Sequence, residues 1–475
     1  MKSTSFNPTE DMKKTFNITE GMFKYANNQC LCPFCFGKFT PLTASFRIAE
    51  ESVCSKMHYD ALTPEEKTDA LPYKEADDEL YEDFWKKFPG SKPVDPDSRR
   101  VSRRPVMHML LNNHLRGQFI PDKDDFPIGM TDGKGNRSEF RVCPRCHNKL
   151  PINFGKHPVK YIAIVGITSS GKTVYLSQFL KGLYNNLIDI GFVQVDGEDE
   201  AEEFCRLNPV KKGVRLPIGN VSDKLTFPIV ITIKKDERAK SEIYTLVFYD
   251  IAGENCVNSD KMKRFGPFIV NADGIVMIVD PGQFPGLLET VGEGEDEAIK
   301  PSKVLQAMHR AFVAAKSKEG QFEVPFAVAI SKSDKLNIYS EYRNYPSNMF
   351  QNIDYSKYTK KGFPYNDYLS ITTEVERMLK KEREGEAFVT DVNNRFTKTA
   401  FFAFSALNVE PVEKKDEVSG NSYYILEEDP EMVRIEEAFN WLLYQLGILE
   451  KSEKGKSNGE NQKSKKFLGI FGRNR

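Results

Sequence analysis

Gly166-Ile167-Thr168-Ser169-Ser170-Gly171-Lys172-Thr173 is the stretch on which the fold turns. It fits the pattern G-x-x-x-x-G-K-[ST], and the context gives the fit its weight. An apolar run, 161–165, precedes it, and a helix-forming run, 174–183, follows. Strand, glycine-bearing loop and helix in that order aim successive backbone N–H groups at one point, which is a cradle for phosphate. Gly166, Ser169, Ser170, Gly171 and Val174 are expected to line the cradle. Lys172 is expected to reach the β- and γ-phosphates and the Thr173 hydroxyl to hold Mg2+.

Outward from this loop, strands are predicted at 161–167, 229–233, 244–249, 274–279, 326–330 and 401–404. Helices are predicted to start at Lys172, Lys303, Thr372 and Glu431. This alternation predicts an α/β fold with a mostly parallel sheet. The last helix carries Ile435, Phe439, Leu442, Leu443 and Leu446, a stripe suited to packing on the sheet. Residues 337–368 read as an inserted loop. From Lys451 the composition cannot bury a core.

Three further segments follow in order. The apolar run 245–249 ends at Asp250, a carboxylate expected to hold Mg2+. It continues as Asp250-Ile251-Ala252-Gly253, whose glycine amide would sense a third phosphate. Ser331-Lys332-Ser333-Asp334 is a variant of [N/T]-K-x-D. Asp334 would accept the N1–H and the exocyclic amine of guanine, with Lys332 along the ring; adenine offers no such donor pair. Ser405-Ala406-Leu407 is expected to touch the base. Thr226, in Lys224-Leu225-Thr226-Phe227-Pro228, is the candidate second Mg2+ ligand, because Thr232 falls inside a predicted strand.

In this order and spacing, 166–173, 250–253, 331–334 and 405–407 resemble the motifs of P-loop GTPases of the TRAFAC class, the translation-factor and Ras-like proteins, over about 158–448. Phe248-Tyr249-Asp250-Ile251-Ala252-Gly253-Glu254 and Ala272-Asp273-Gly274-Ile275-Val276-Met277-Ile278-Val279-Asp280-Pro281 resemble the double-GTPase-type proteins of bacterial conflict and antiphage systems, which often carry zinc ribbons before the G domain. The resemblance implies GTP/GDP and Mg2+ as ligands, with Lys172, Asp250, Gly253 and Glu254 at the catalytic centre. Glu254 stands where many Ras-like proteins have a water-positioning Gln. A carboxylate there meets an anionic γ-phosphate, so the implied hydrolysis is slow or uses another group.

Cys32-Pro33-Phe34-Cys35 and Cys143-Pro144-Arg145-Cys146 are two knuckle-like pairs, and four thiolates suit a closed, structural Zn2+ site with no open position for catalysis. The long charged insert between them costs little, because closure entropy grows slowly with length. Cys30 is near enough to compete as a ligand. Cys54 and His58 would need Cys30 or His114 to complete a second site, and Cys205 and Cys256 read as structural thiols. The expected organisation is an interrupted zinc-ribbon module over 1–157, a G domain over 158–449 and a basic-apolar tail over 450–475. Within the first part, 1–29 reads as a loose lead-in, 73–87 as a helix and 106–119 as a short amphipathic helix.

The 475 residues carry 67 Lys+Arg against 68 Asp+Glu, a net charge of −1. Such balance gives no global field for holding nucleic acid. No apolar run approaches the ~20 residues of a membrane helix, and the first residues lack a signal-peptide core, so a cytoplasmic location is expected. In the tail, Phe467, Leu468, Ile470 and Phe471 are flanked by basic residues, which suggests docking to a protein partner or peripheral membrane contact. Two functions fit. One is a GTP-hydrolysing switch whose zinc module, insert or tail docks a partner. The other is a nucleotide-binding assembly scaffold, for GTP or ATP, with negligible turnover.

Overall fold

Seven strands build the central sheet of the computed structural model, which describes residues 8–48, 77–93, 106–108, 117–132, 137–167, 170–217, 224–236, 242–284, 287, 300–336, 349–417 and 420–454. They are β1 (Val159–Gly166), β2 (Phe192–Asp196), β3 (Ile229–Lys235), β4 (Ile243–Ala252), β5 (Gly274–Val279), β6 (Phe326–Ile330) and β7 (Thr399–Ala403), in the spatial order β2-β3-β4-β1-β5-β6-β7. The pairs β4–β1, β1–β5, β5–β6 and β6–β7 are parallel; β2–β3 and β3–β4 are antiparallel. Every residue of β5 and β6 is buried, as expected of parallel strands covered on both faces.

The main helices are α1 (Lys172–Ile190), α2 (Glu198–Leu207), α3 (Ser259–Val270), α4 (Pro301–Lys316), α5 (Tyr365–Leu379), α6 (Arg383–Arg395) and α7 (Glu437–Gln445). Side chains alternate between the faces of a strand. Phe248 points to one face, where its ring meets Phe179 of α1 at 6.0 Å and Phe439 of α7 at 5.8 Å. Tyr249 points to the other and meets Phe268 of α3 at 5.1 Å and Phe36 at 5.8 Å. The apolar core therefore runs without a break from the cysteine-bearing N-terminal part, through the sheet, to α7.

Several expectations need correction. The lead-in is folded from residue 8: Glu10–Phe16 is a helix capped by the Thr9 hydroxyl, and Phe16, Ile18, Met22 and Ala26 enter a second apolar cluster with Leu42, Phe46, Met107, Phe119 and Met130. Those apolar residues are shared among three short turns, so no single helical period exposes them. The amphipathic helix at 106–119 is contradicted at both ends. Val106–Met107 pairs as a strand with Ser45–Arg47, and Gly117–Pro121 pairs with Pro127–Asp132. Met107 and Phe119 reach one cluster from different strands, and Leu110, Leu111 and Leu115, on which the helical stripe also rested, lie outside the described residues. The helix expected over 73–87 covers Glu79–Trp85, where the Asp78 carboxylate accepts the Tyr81 N–H at 3.2 Å.

In the C-terminal half, α7 starts at Glu437 rather than Glu431, because Val433 is tied to Ser405 by two backbone bonds and Arg434 takes a left-handed φ of 54°. Helix α5 begins at Tyr365 rather than Thr372. Within 337–368, Met349 and Phe363 are buried, and Tyr358–Lys360 pairs with Glu453–Lys454, so the chain is still paired beyond Lys451. Strand β2 and helices α2, α3 and α6 had not been expected. The tail proper, 455–475, lies outside the described residues.

Trp441 is 1% exposed and lies against Phe402 at 6.2 Å and Tyr368 at 6.4 Å, tying α7 to β7 and α5. Trp441→Ala is expected to destabilise the protein by about 3–5 kcal/mol. Urea unfolding followed by far-UV circular dichroism measures this, and an unchanged midpoint contradicts the packing described.

Candidate functional site

The carboxyl ends of β1, β4, β5, β6 and β7 share one edge of the sheet, and the chemistry-bearing segments stand there in a row. In open α/β sheets this edge is where ligands bind, where the connections diverge. The chain diverges around β1, whose neighbours β4 and β5 come from opposite halves of the sheet. The β4–β1 register pairs Asp250 with Ile164 and Ala252 with Gly166, so the Asp250 and phosphate-loop segments leave the sheet side by side.

Lys172 and Thr173 open α1 behind Gly171, which takes the left-handed φ of 76° that glycine tolerates. Both side chains are buried, at 7% and 4% exposure. The Lys172 ammonium pairs with the Asp250 carboxylate, which is itself 1% exposed. The Gly253 N–H donates to the Gly166 carbonyl at 2.7 Å, and a Cβ at Gly253 would sit 3.0 Å from that oxygen. This close approach selects glycine. The Ser170 hydroxyl is fully buried with no hydrogen-bond partner among the described residues. Thr168 and Ser169 lie outside the described residues, and Val174 is partly buried on the first turn of α1.

Glu254 follows directly and heads a short helix, Glu254–Val257. Thr226 lies in the extended segment before β3. Antiparallel pairing of Ile229 with Phe248 makes that segment enter at the edge where β4 carries Asp250 near its end. Thr232 is 7% exposed inside β3, its hydroxyl 3.4 Å from that of Thr245.

After β6, the Ser331 N–H and hydroxyl both donate to the Val279 carbonyl, at 2.9 and 3.3 Å, so serine anchors this loop to the end of β5. Lys332 has a φ of 51° and pairs through its ammonium with Asp280. Asp334 is half-buried in the turn Ser333–Leu336, with no polar partner among the described residues. After β7, the Ser405 hydroxyl accepts the Asn408 N–H at 2.8 Å, and the Ala406 carbonyl accepts Gln178 Nε2 of α1 at 3.1 Å. The direct contacts join Lys172 to Asp250 and Gly166 to Gly253. Those of Lys332, Ser405 and Ala406 run to other partners.

The second site is the cysteine tetrad. Sγ atoms of Cys32, Cys35, Cys143 and Cys146 all lie within 4.8 Å of one another, with Cys32 to Cys146 at 3.7 Å and Cys35 to Cys143 at 3.8 Å. Tetrahedral Zn2+ with Zn–S near 2.3 Å spaces its sulfurs about 3.8 Å apart. The two turns repeat one construction. Cys32 N–H bonds the Gly37 carbonyl and Phe36 N–H the Cys32 carbonyl; Cys143 N–H bonds the Asn148 carbonyl and His147 N–H the Cys143 carbonyl. Phe36 and His147 both take left-handed φ, 55° and 49°. Backbone N–H groups of Phe34, Gly37 and Arg145 point at Cys32, Cys35 and Cys143 from 3.4 Å, and Asn148 Nδ2 at Cys146 from 3.3 Å. Donors aimed at sulfur stabilise thiolates, so the donor set fits a dication. Cys30 is buried outside the tetrad, its Sγ 3.5 Å from the Asn28 carbonyl. Cys54, His58 and His114 lie outside the described residues.

Sequence reasoning passed over a buried support behind the tetrad. Asp78 accepts from Arg47 at 2.7 Å and from His147 Nδ1 at 2.8 Å. Burial pushes the Asp78 carboxyl up, but His147 and Arg47 outweigh it and hold it at about 2. Trp85 Nε1 donates to Asn148 Oδ1 at 2.9 Å, fastening the insert helix to the second knuckle. Arg141 is 1% exposed and donates to the carbonyls of Phe154, Ile152 and Pro41, with its guanidinium 4.8 Å from the Phe126 ring centroid. Asp280 was also passed over as a partner of Lys332. Its signal was present, since it directly follows β5, much as Asp250 stands near the end of β4.

No protein-family model matches the chain, and no curated protein matches it. Among solved structures, it is similar to Sup35 complexed with GDP, at 11% identity and TM-score 0.23, over 53% of this chain and 38% of that one. It is likewise similar to the S. cerevisiae Ski7 GTPase-like domain bound to GTP, at 14% identity and TM-score 0.23, over 53% of this chain and 43% of that one. The chain thus spans less than half the length of either.

Purified protein is expected to carry about one zinc per chain, the stoichiometry of one closed four-cysteine site. Cys143→Ser should lose the metal and unfold the N-terminal part, since metal binding supplies folding free energy. Elemental analysis with limited proteolysis reads both, and a metal-free, fully protease-resistant wild type contradicts the assignment.

Proposed function

We propose that the protein is a P-loop GTPase, a switch that binds GTP and GDP with Mg2+ and hydrolyses GTP. The observation that carries this reading is the convergence of Lys172, Thr173, Asp250 and Gly253 where β1 and β4 end. A buried ammonium and carboxylate are costly to separate unless each is given another partner. A triphosphate with its Mg2+ offers both: phosphate oxygens for Lys172, the cation for Asp250. Thr173 supplies a hydroxyl to the same cation, and the buried Ser170 hydroxyl has capacity for a phosphate oxygen. Bound Mg2+ would offset phosphate charge and polarise the terminal phosphate. Asp334 would then select guanine, while Asp280 holds Lys332 beside the base and the 405–407 loop closes over it.

Thr226 is proposed as the second Mg2+ ligand, and Glu254 as the residue nearest in sequence to the attacking water. A carboxylate there supports slow turnover. The scaffold reading, with negligible turnover, rests on that same position. The tetrad of an interrupted zinc ribbon over 1–157 is proposed to hold Zn2+ next to a G domain over 158–449. A cytoplasmic role in bacterial defence or signalling, with partner docking through the module, insert or tail, completes the proposal. Among the described residues no helix is long and apolar enough to cross a membrane.

Competition binding with labelled GTP tests the reading directly. GTP should displace the label and ATP should not, and Lys172→Ala should weaken GTP at least about tenfold, the value of one lost hydrogen bond to a charged group. Asp334→Asn should shift preference toward xanthine nucleotides, whose exchanged carbonyl suits an amide donor. Preference of the wild type for ATP, or equal affinity in Lys172→Ala, overturns it; phosphate release then separates switch from scaffold.

A further inference from the structure

The zinc knuckle does not stand apart from the proposed nucleotide site. It packs on both chain segments that flank it. Phe227, the residue after Thr226, lies against two rings of the N-terminal part: Phe34, inside the first Cys-x-x-Cys turn, at 5.9 Å and Trp85 at 5.3 Å. Beside it, the Leu225 N–H donates to the Ser91 hydroxyl at 2.8 Å. On the other side of Asp250 and Gly253, Phe268 of α3 meets Phe36, the residue after Cys35, at 5.0 Å. Phe265 of α3 meets Phe88 at 5.5 Å, and Arg264 donates to the Lys87 carbonyl at 3.2 Å.

The two sides of this contact differ in how firmly they are held. Phe34 and Trp85 are 8% and 3% exposed; one is built into the metal turn and the other is fastened to Asn148. Phe227 is 43% exposed, in a segment with no strand ladder. A fixed slot therefore grips a half-covered ring whose neighbour is the proposed Mg2+ ligand. The grip also has a direction. The Gly253 N–H, which would report a third phosphate, is engaged by the Gly166 carbonyl in this docked arrangement. Reading the γ-phosphate requires that amide to be released, and α3, which follows it, is packed against Phe36 and Phe88.

We propose that Phe34, Trp85 and Phe227 are positioning residues for the nucleotide site: the metal-built slot holds the Thr226 segment in the arrangement that disfavours triphosphate relative to diphosphate. The inference rests on the GTPase reading above. Because coupling between two ligands is reciprocal, triphosphate must in turn loosen the knuckle. Coupling of this kind changes affinities by roughly 5- to 150-fold, and a single partly exposed ring belongs near the lower end.

The test uses full-length, zinc-loaded protein with two readouts. One is the ratio of GDP to GTPγS affinity, measured with fluorescent nucleotides. The other is zinc affinity, read as the equilibrium release of zinc to a colorimetric chelator with either nucleotide bound. In the wild type, GTPγS should weaken zinc binding about 5- to 10-fold relative to GDP. Phe227→Ala should raise the affinity for GTPγS over GDP by a similar factor and abolish the nucleotide effect on zinc release, and Phe227→Tyr should restore both. An unchanged ratio and nucleotide-independent zinc release in a wild type that binds GTP overturn the coupling and leave the GTPase reading standing. Tighter zinc binding with GTPγS overturns the direction and hence the proposal. A wild type that binds neither nucleotide overturns both readings at once.

Discussion

The parallel ladder between β1 and β4 is the constraint on which both sites depend. It pairs Asp250 with Ile164 and Ala252 with Gly166, so Lys172 can meet Asp250 and Gly253 can reach the Gly166 carbonyl. The same ladder sets Tyr161 and Tyr249 on one face, stacked at 6.4 Å with an interplanar angle of 7°. That face receives the knuckle: Tyr161 donates its hydroxyl to the Leu31 carbonyl at 2.6 Å, and Tyr249 meets Phe36. A slip of one residue would reverse the faces. It would separate the ion pair and turn Tyr249 toward α1 and α7, away from Tyr161.

The tetrad solves a different problem. The segment between its two half-sites is long and charged, and its buried apolar residues are spread over short strands and one short helix. Four sulfurs brought within 4.8 Å join residues more than a hundred apart in sequence. The insert helix Glu79–Trp85 is then held at its N-cap by Asp78 against Arg47 and His147, and near its end by Trp85 against Asn148. Rings from the knuckles and from this helix give the outer layer over β4 and α3.

Much of this was legible in the sequence. Strands buried on both faces, such as β5 and β6, are uninterrupted apolar runs; the 166–173 pattern stands out by its spacing between a strand and a helix, and the cysteine pairs by their spacing. What was not legible has a common cause. Strand β2 is half-exposed and polar in places, α2 and α6 are charged, and the lead-in splits its apolar residues among short turns, so none shows a long regular period. The helix expected at 106–119 is contradicted at its ends, where Val106–Met107 and Gly117–Pro121 pair with partner strands that a local period cannot reveal. In the site, Asp280 and His147 depend on partners distant in the chain, and Phe227 meets Phe34 and Trp85 from far along the sequence.

Arg141 carries a consequence of a different sort. A dication held by four thiolates keeps a surplus of two negative charges, and in a dry interior such a surplus is expensive. Arg141 stands two residues before Cys143, is buried, and spends its hydrogen bonds on carbonyl groups rather than on a carboxylate. Its positive charge faces Cys30, where it works against the burial that pushes that thiol up to about 11. Arg141 is thus an internal cation that acts on Cys30, and were the tetrad to take a dication, its surplus negative charge would be buried two residues from a positive side chain.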